Sequence, residues 1–331
     1  MTPDPLLVER FRQDCLRLWE PERGDTCLGV ALSGGPDSLA LTLLAQAAFP
    51  GRVEAATVDH GLRRGSAEEA REAARICATL GVPHAILTVE VAPGNLQAEA
   101  RTARYDALGT HFAQQGVLAF ATAHHADDQA ETLLMRLNRG SGLSGLAGVR
   151  PTSALAPRGT SAELAVIRPL LDWRRRELAD IVAASGFAAA QDPSNEDEGF
   201  DRVRMRKAIA ELPWLDPLAI AASARHLAEA EEVIEERIDS VMDTLVWQDG
   251  ACLFQWGHPR IIEIGVVERI LRRLGASDVR RSDIARMVGR LRAKENASLG
   301  GILARRVMYQ ADAATQWDAM RFEPEPPRKS R

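Results

Sequence analysis

Short apolar runs alternate with longer stretches of helical spacing through the first two thirds of the chain. Residues 27–32, 52–58, 84–89, 117–122 and 165–168 have the length and composition of strands buried on both faces. Leu39, Leu41, Leu43 and Leu44 open a helix after the first run, and residues 66–80, 95–115, 126–137 and 173–186 continue the helical pattern, with Ser66 as an N-cap. An amphipathic helix over residues 5–19 leads in. Alternation of this kind predicts βαβ units, so the fold class is α/β, a doubly wound parallel sheet with both faces covered. Pro213 and Pro217 flank a break. Beyond it, a long helix over 219–243, further helices and one strand, 303–309, predict a smaller α-rich domain. The expected organisation is a catalytic domain 1–212, a second domain 213–320 and a proline-containing disordered tail 321–331.

At 331 residues the chain is long enough for two cores. The N-terminus lacks the basic start and apolar run of a signal peptide, and no apolar run reaches the roughly 20 residues that span a bilayer, so a cytoplasmic location without membrane contact is expected. Cys15, Cys27, Cys77 and Cys252 are scattered, without a C-x-x-C pair, and read as reduced thiols. The net charge of −5 excludes a chain that coats nucleic acid indiscriminately. Charge is nonetheless segregated: residues 268–295 hold nine Lys/Arg against four acids, whereas 229–243 hold seven acids against Arg237. That pattern suits a polyanion docked on one face, or two solvated helix faces.

The first strand breaks at Ser33-Gly34-Gly35-Pro36-Asp37-Ser38 and resumes as helix. Two glycines let backbone N–H groups approach an anion, and the following helix N-terminus favours negative charge, which makes a phosphate cradle. No Gly-Lys-Ser/Thr closes it, and an acid, Asp37, stands where a cation is expected, which points to a bridging Mg²⁺. Further polar clusters follow other strands: residues 59–63, then His124, His125, Asp127 and Asp128. In an open α/β sheet these strand ends share one crevice. Residues 138–148, with four glycines from 140 to 148, read as an irregular loop beside the site or a plain linker. Arg202 and Arg206 share a helix face at i, i+4 and repel unless an anion sits between them, as a phosphate would; a solvated surface is the alternative.

These pieces resemble a known family. Ser33–Ser38 is similar to the SGGxDS loop of the N-type ATP pyrophosphatases, the PP-loop superfamily with a Rossmann-like ATPase domain. The series Asp59-His60-Gly61-Leu62-Arg63, Asn95-x-Gln97-x-x-Ala100-Arg101-x-x-Arg104-Tyr105, His124-His125-Ala126-Asp127-Asp128-Gln129-Ala130-Glu131-Thr132, Arg139-Gly140-Ser141-Gly142 and Arg168-Pro169-Leu170-Leu171 resembles the bacterial tRNA(Ile)-lysidine synthases over about residues 27–210. The resemblance implies that ATP adenylates the wobble cytidine of tRNA(Ile) with a CAU anticodon and that free L-lysine displaces AMP, giving lysidine and pyrophosphate. It implies that Ser33, Gly34, Gly35, Pro36, Asp37 and Ser38 hold ATP, that Asp37 binds Mg²⁺, and that Arg104 contacts the α-phosphate. Asp128 and Glu131 would hold the lysine ammonium, and His124, with an ordinary pKa near neutrality, would take its proton; His125 is structural. Arg202 and Arg206 would close over nucleotide and base, and Arg272, Arg273, Arg280, Arg281 and Arg286 would meet tRNA phosphates. A homodimer is compatible. Two departures stand out: Val203 replaces the family's usual asparagine, and longer members continue past this chain's last residue. A thiolase of the superfamily would carry catalytic cysteines, and an amidotransferase would need an ammonia source; neither pattern is present.

Overall fold

The computed structural model describes residues 2–20, 26–61, 65–89, 96–190, 199, 201–276, 278–310 and 316–325. Leu62, Arg63, Asn95, the turn at 191–195 and the end of the tail lie outside these. Two compact units divide the chain, Met1–Ala228 and Glu229–Arg331.

The first unit runs α1 (Pro5–Leu16), β1 (Leu28–Ala31), α2 (Pro36–Ala48), β2 (Val53–Asp59), α3 (Ser66–Leu80), β3 (His84–Thr88), α4 (Leu96–Gln114), β4 (Ala119–Ala121) and α5 (Ala126–Asn138). It continues with α6 (Leu143–Leu146), β5 (Thr152–Leu155), β6 (Leu164–Ile167), α7 (Arg175–Ser185), α8 (Asp201–Ala210) and the first half of α9 (Pro217–Met242). The sheet order is β3-β2-β1-β4-β6-β5, parallel except for β5, which pairs antiparallel with β6. The chain leaves β1 toward β2 and β3, then returns to lay β4 on the other side of β1. A switch of this kind opens a crevice beyond the carboxyl ends of β1 and β4.

Strand side chains alternate between two cores. On one face Leu28, Val30, Ala119 and Ala121 pack with Phe11, Leu39, Leu44 and Trp173 from α1, α2 and the approach to α7. On the other, Phe120 and Val166 pack with Leu108 and Phe112 of α4 and its C-terminus. Gly29 is small for a reason: a Cβ there would stand 2.7 Å from Phe120 Cβ and 3.0 Å from a Phe112 ring carbon. The doubly wound sheet expected from the pattern is therefore the observed one, with one unexpected edge strand. Thr152–Ala154 are exposed, so β5 offers no buried alternation to read.

Several local expectations change. The N-cap of α3 is Gly65 at φ 110°, not Ser66; the Ser66 hydroxyl instead donates to Asp59 Oδ1 at 2.7 Å. The glycine-rich stretch contains the helical turn α6, and its end is clamped by Gln129, whose amide bonds Val149 O at 2.7 Å and Val149 N at 2.8 Å. The break expected at 213–218 is present, but the units divide at 228, inside α9, because the start of that helix still packs on the first unit. Ala221, Ala224 and Ala228 are buried, and Arg225 pairs with Asp172 at 3.0 Å.

The second unit holds the rest of α9, β7 (Val246–Gln248), β8 (Ala251–Gln255), α10 (Arg260–Arg273), α11 (Arg281–Arg292), β9 (Ala297–Leu299), β10 (Ile302–Gln310) and β11 (Gln316–Pro324). The expected helices are joined by an antiparallel sheet, β7-β8-β11-β10-β9, of which only β10 was legible. Residues 321–324 of the expected tail belong to β11, where Phe322 is buried and Arg305 and Arg321 both bond Glu323. The segregated charges meet here: Glu235 and Asp239 of the acidic stretch pair with Arg269 of the basic one. Arg272 and Arg281 share Glu268 at 3.1 and 3.0 Å, Arg286 pairs with Asp283, and Arg273 lies 4.3 Å from the Trp247 ring centroid. These exposed arginines thus have partners within the unit, and Arg280 stands exposed at the N-cap of α11.

Candidate active site

The apolar run of β1 ends in a loop that the sequence bends sharply. Gly34 adopts φ 85°, a region costly for any residue with a Cβ, and its carbonyl accepts from Ala190 N at 2.9 Å. Pro36 opens α2 at the first helical position, leaving the helix N-terminus facing the loop. The buried Ser38 hydroxyl accepts from Ser33 N at 3.1 Å and donates to Gly35 O at 3.0 Å. Ser38 therefore braces the loop, while the exposed Ser33 keeps its hydroxyl at the surface, 3.0 Å from Ser38 Oγ. Both serines were expected as ligand donors; both line the cavity described next, Ser33 with its hydroxyl exposed and Ser38 with its hydroxyl bonded within the loop.

The loop opens on a cavity of about 710 Å³ beyond the ends of β1, β2 and β4, lined among others by Ser33, Asp37, Arg104, His124, Asp128 and Arg202. The predicted site residues Gly35, Pro36, Ser38 and Arg206 also line it, whereas Gly34 and Glu131 are not among its lining residues. No cysteine lines it; Cys15, Cys77 and Cys252 are buried elsewhere, and burial raises their pKa values. Arg104 lies 5.5 Å from the ring centroid of Tyr105, and among the described residues no carboxylate pairs with it. Burial pushes its pKa down. A half-buried guanidinium with no carboxylate partner among the described residues suits an anionic ligand.

The second polar cluster begins at α5. His125, fully buried, caps that helix: its Nδ1 accepts from Asp128 N at 3.4 Å, and Asp128 Oδ2 accepts from His125 N at 3.2 Å. Its Nε2 then faces Asp37 Oδ2 at 3.4 Å. Burial alone would lower the imidazole pKa, but Asp37 and Asp128 outweigh it and raise the value above the ordinary one. His125 thus caps α5 and faces the Ser33–Ser38 loop through Asp37.

Asp128 and Glu131 lie on one face of α5, but not as free acids. Glu131 is 1% exposed, and its two oxygens accept from Arg202 Nε at 2.7 Å and Arg206 Nε at 2.8 Å. Arg202 also donates to Asp128 Oδ1 at 2.9 Å. The anion expected between the two arginines is thus the chain's own carboxylate in this structure. Burial works to raise the Asp128 pKa, but His125, Arg202 and His124 hold it below the usual carboxylate range.

His124 sits beside Thr122, whose hydroxyl is 2.9 Å from Nδ1. Burial first, then the guanidiniums of Arg168, Arg101 and Arg104, push its pKa to about 4 against the pull of Asp128. The near-neutral pKa expected for His124 is therefore corrected: three cations and a closed environment disfavour the imidazolium, and anionic phosphates in the cavity would reverse part of that.

His84, bonded to Thr57 at 2.8 Å, is likewise held at about 4, by burial and then His111. Both folded values lie below the ordinary 6.5, so between these limits the unfolded chain binds protons that the folded one refuses. Stability is expected to fall as pH drops from about 6.5 to about 4. A His84→Asn variant should show a shallower fall when melting temperatures are compared across that window; an identical slope would refute the buried-neutral reading of His84.

Some cavity residues went unassigned in the sequence: His60, Arg101, Glu69 and Arg175. His60 and Arg101 stood in quoted motifs without a role. Among the described residues no group of three His, Cys, Asp or Glu could hold an ion. Asp37, with a quarter of its side chain exposed beside the loop, is a single carboxylate of the kind Mg²⁺ uses together with phosphates and water. Among the described residues no helix is long and apolar enough to cross a membrane.

Residues 7–212 match the PP-loop domain family. Curated relatives include the tRNA(Ile)-lysidine synthases of Novosphingobium aromaticivorans, 44% identical over 89% of this chain and 89% of the relative, and of Zymomonas mobilis, 39% identical over 91% and 89%. That of Ruegeria pomeroyi is 41% identical over 83% of this chain and 68% of its own length. Among solved structures, the U34-tRNA thiolase NcsA from Methanococcus maripaludis with its 4Fe-4S cluster shares the fold, with a TM-score of 0.55 at 16% identity over 68% of this chain and 80% of that one. With such identity sustained over about nine-tenths of its length, the chain belongs to the tRNA(Ile)-lysidine synthase family, ATP-using enzymes built on a PP-loop domain.

Proposed function

We propose that this enzyme ligates free L-lysine to C2 of the wobble cytidine of tRNA(Ile) with a CAU anticodon, through an adenylated cytidine. The O2 atom of cytidine attacks the α-phosphorus of ATP and pyrophosphate leaves. The lysine amine then attacks C2, the C2–O bond breaks, and AMP departs with that oxygen. One observation carries the reading: the Ser33–Ser38 loop and the His124–Asp128 segment open on one cavity, so a phosphate half and an amine half share a single reaction space.

Backbone N–H groups of the loop and the start of α2 would hold the leaving pyrophosphate, and Arg104, without a carboxylate partner among the described residues, would meet the α-phosphate. Asp37 would hold Mg²⁺, which when bound offsets charge on the phosphates. Arg202 and Arg206 have phosphates as alternative partners to Glu131 and Asp128. When the nucleotide draws them away, the two acids become available to the lysine ammonium, and His124 is the neutral base beside them.

The test is direct. Full-length protein, ATP, Mg²⁺, radiolabelled lysine and a tRNA(Ile) CAU transcript should give labelled tRNA with AMP and pyrophosphate in equal amounts. Absence of label in the tRNA, with ATP consumed or not, would overturn the reading.

A further inference from the structure

The phosphate loop lacks the lysine that a P-loop places at its end, and carries Asp37 instead. A cation reaches it from the other side of the crevice. Arg175 is the first residue of α7, lines the same cavity as Ser33 and Gly35, and brings its guanidinium to 3.8 Å from Asp37 Oδ2. That separation is too long for a hydrogen bond, so the guanidinium donors are not taken up by this carboxylate. The backbone is held: Arg175 N donates to Asp127 Oδ2 at 2.8 Å, tying the start of α7 to α5. Its neighbour contrasts with it, since Arg174 pairs with Asp216 at 2.7 Å, away from the loop. A cation at a helix N-terminus opposes the macrodipole, and an anion seated between the guanidinium and the helix end removes that conflict.

We propose that Arg175 is a further catalytic residue of the ATP half-reaction, holding the β- and γ-phosphates against the Ser33–Ser38 loop. As cytidine O2 bonds to the α-phosphorus, the bond from that phosphorus to the bridging oxygen breaks, and its electron pair passes to pyrophosphate. The guanidinium offsets this charge without transferring a proton. Arg175 thereby supplies the cation that the loop's own sequence omits, and its planar fork suits two phosphate oxygens at once.

The proposal rests on the reading of the cavity as an ATP site, and the experiment separates the two. Calorimetric binding of ATP, pyrophosphate and AMP, each with Mg²⁺, is compared for the full wild-type chain and for Arg175→Ala, Arg175→Lys and Arg174→Ala. Arg175→Ala should weaken ATP and pyrophosphate roughly tenfold to hundredfold while leaving AMP binding and the melting temperature unchanged. Arg175→Lys should recover part of the loss, and Arg174→Ala should bind all three as the wild type does. Pyrophosphate and ATP affinities within about twofold of wild type in Arg175→Ala would overturn the role, as would an equal loss for AMP. A wild-type protein that binds none of the three would instead overturn the ATP reading, and this proposal with it.

Discussion

Glu131→Gln is expected to lower lysine-dependent AMP release by roughly a hundredfold or more and to cost about 2 kcal/mol of folding stability. Both effects come from one carboxylate. Glu131 is 1% exposed, and each oxygen accepts from a different arginine, at 2.7 and 2.8 Å. Glutamine keeps the shape but turns one acceptor into an NH₂ facing a guanidinium, and leaves two cations at i, i+4 with half a partner. The stability cost stays below the range for fully buried pairs because the arginine side chains are 45% and 30% exposed and can turn to water. Denaturant unfolding and the AMP assay check the two numbers separately. A Glu131→Gln/Arg206→Ala double variant should be more stable than the two single losses summed, since the second change removes a cation the first stranded. Simple additivity would mean that the two side chains do not act as a pair.

Asp37→Asn separates activity from stability in the opposite way. Turnover should fall by about three orders of magnitude if Asp37 holds Mg²⁺ as proposed, while stability stays within about 1 kcal/mol of wild type. The carboxylate's contacts, 3.4 Å to His125 and 3.8 Å to Arg175, are long, and Asp128 still faces His125 in the variant, so little stability is lost. Pyrophosphate release and a thermal melt decide it. Near-normal release in the folded variant would remove Asp37 from metal binding.

The cradle was legible because its physics is local: an apolar strand, two glycines, a proline at the first helical position and an apolar helix lie in one short stretch. The sheet was legible because strands buried on both faces, such as β1 and β4, stand out between helices of different period. Convergence of Ser33–Ser38 and His124–Asp128 followed from topology alone, since both segments leave the carboxyl ends of neighbouring strands. Exposed or very short strands were hidden: β5 has no apolar face, and β7 and β9 have three residues each. The pairing of Arg202 and Arg206 with Glu131 spans more than 70 residues and required the fold. Arg175 was masked for a related reason. Within Arg174-Arg175-Arg176 it reads as one of three solvated cations, and the available signal was their position at the start of a helix, where the macrodipole disfavours them.

The ladder between β1 and β4 pairs Leu28 with Ala119 and Val30 with Ala121, which brings the two strand ends level. This register governs where the family's members can differ in length. Adding or removing one residue inside either strand would move one half of the site by about 3.3 Å and turn its side chains to the opposite face. Insertions are tolerable only where no ladder transmits them, as at surface loops. Relatives of unequal length can therefore share one reaction centre, provided the residues leading into Ser33 and His124 keep their count.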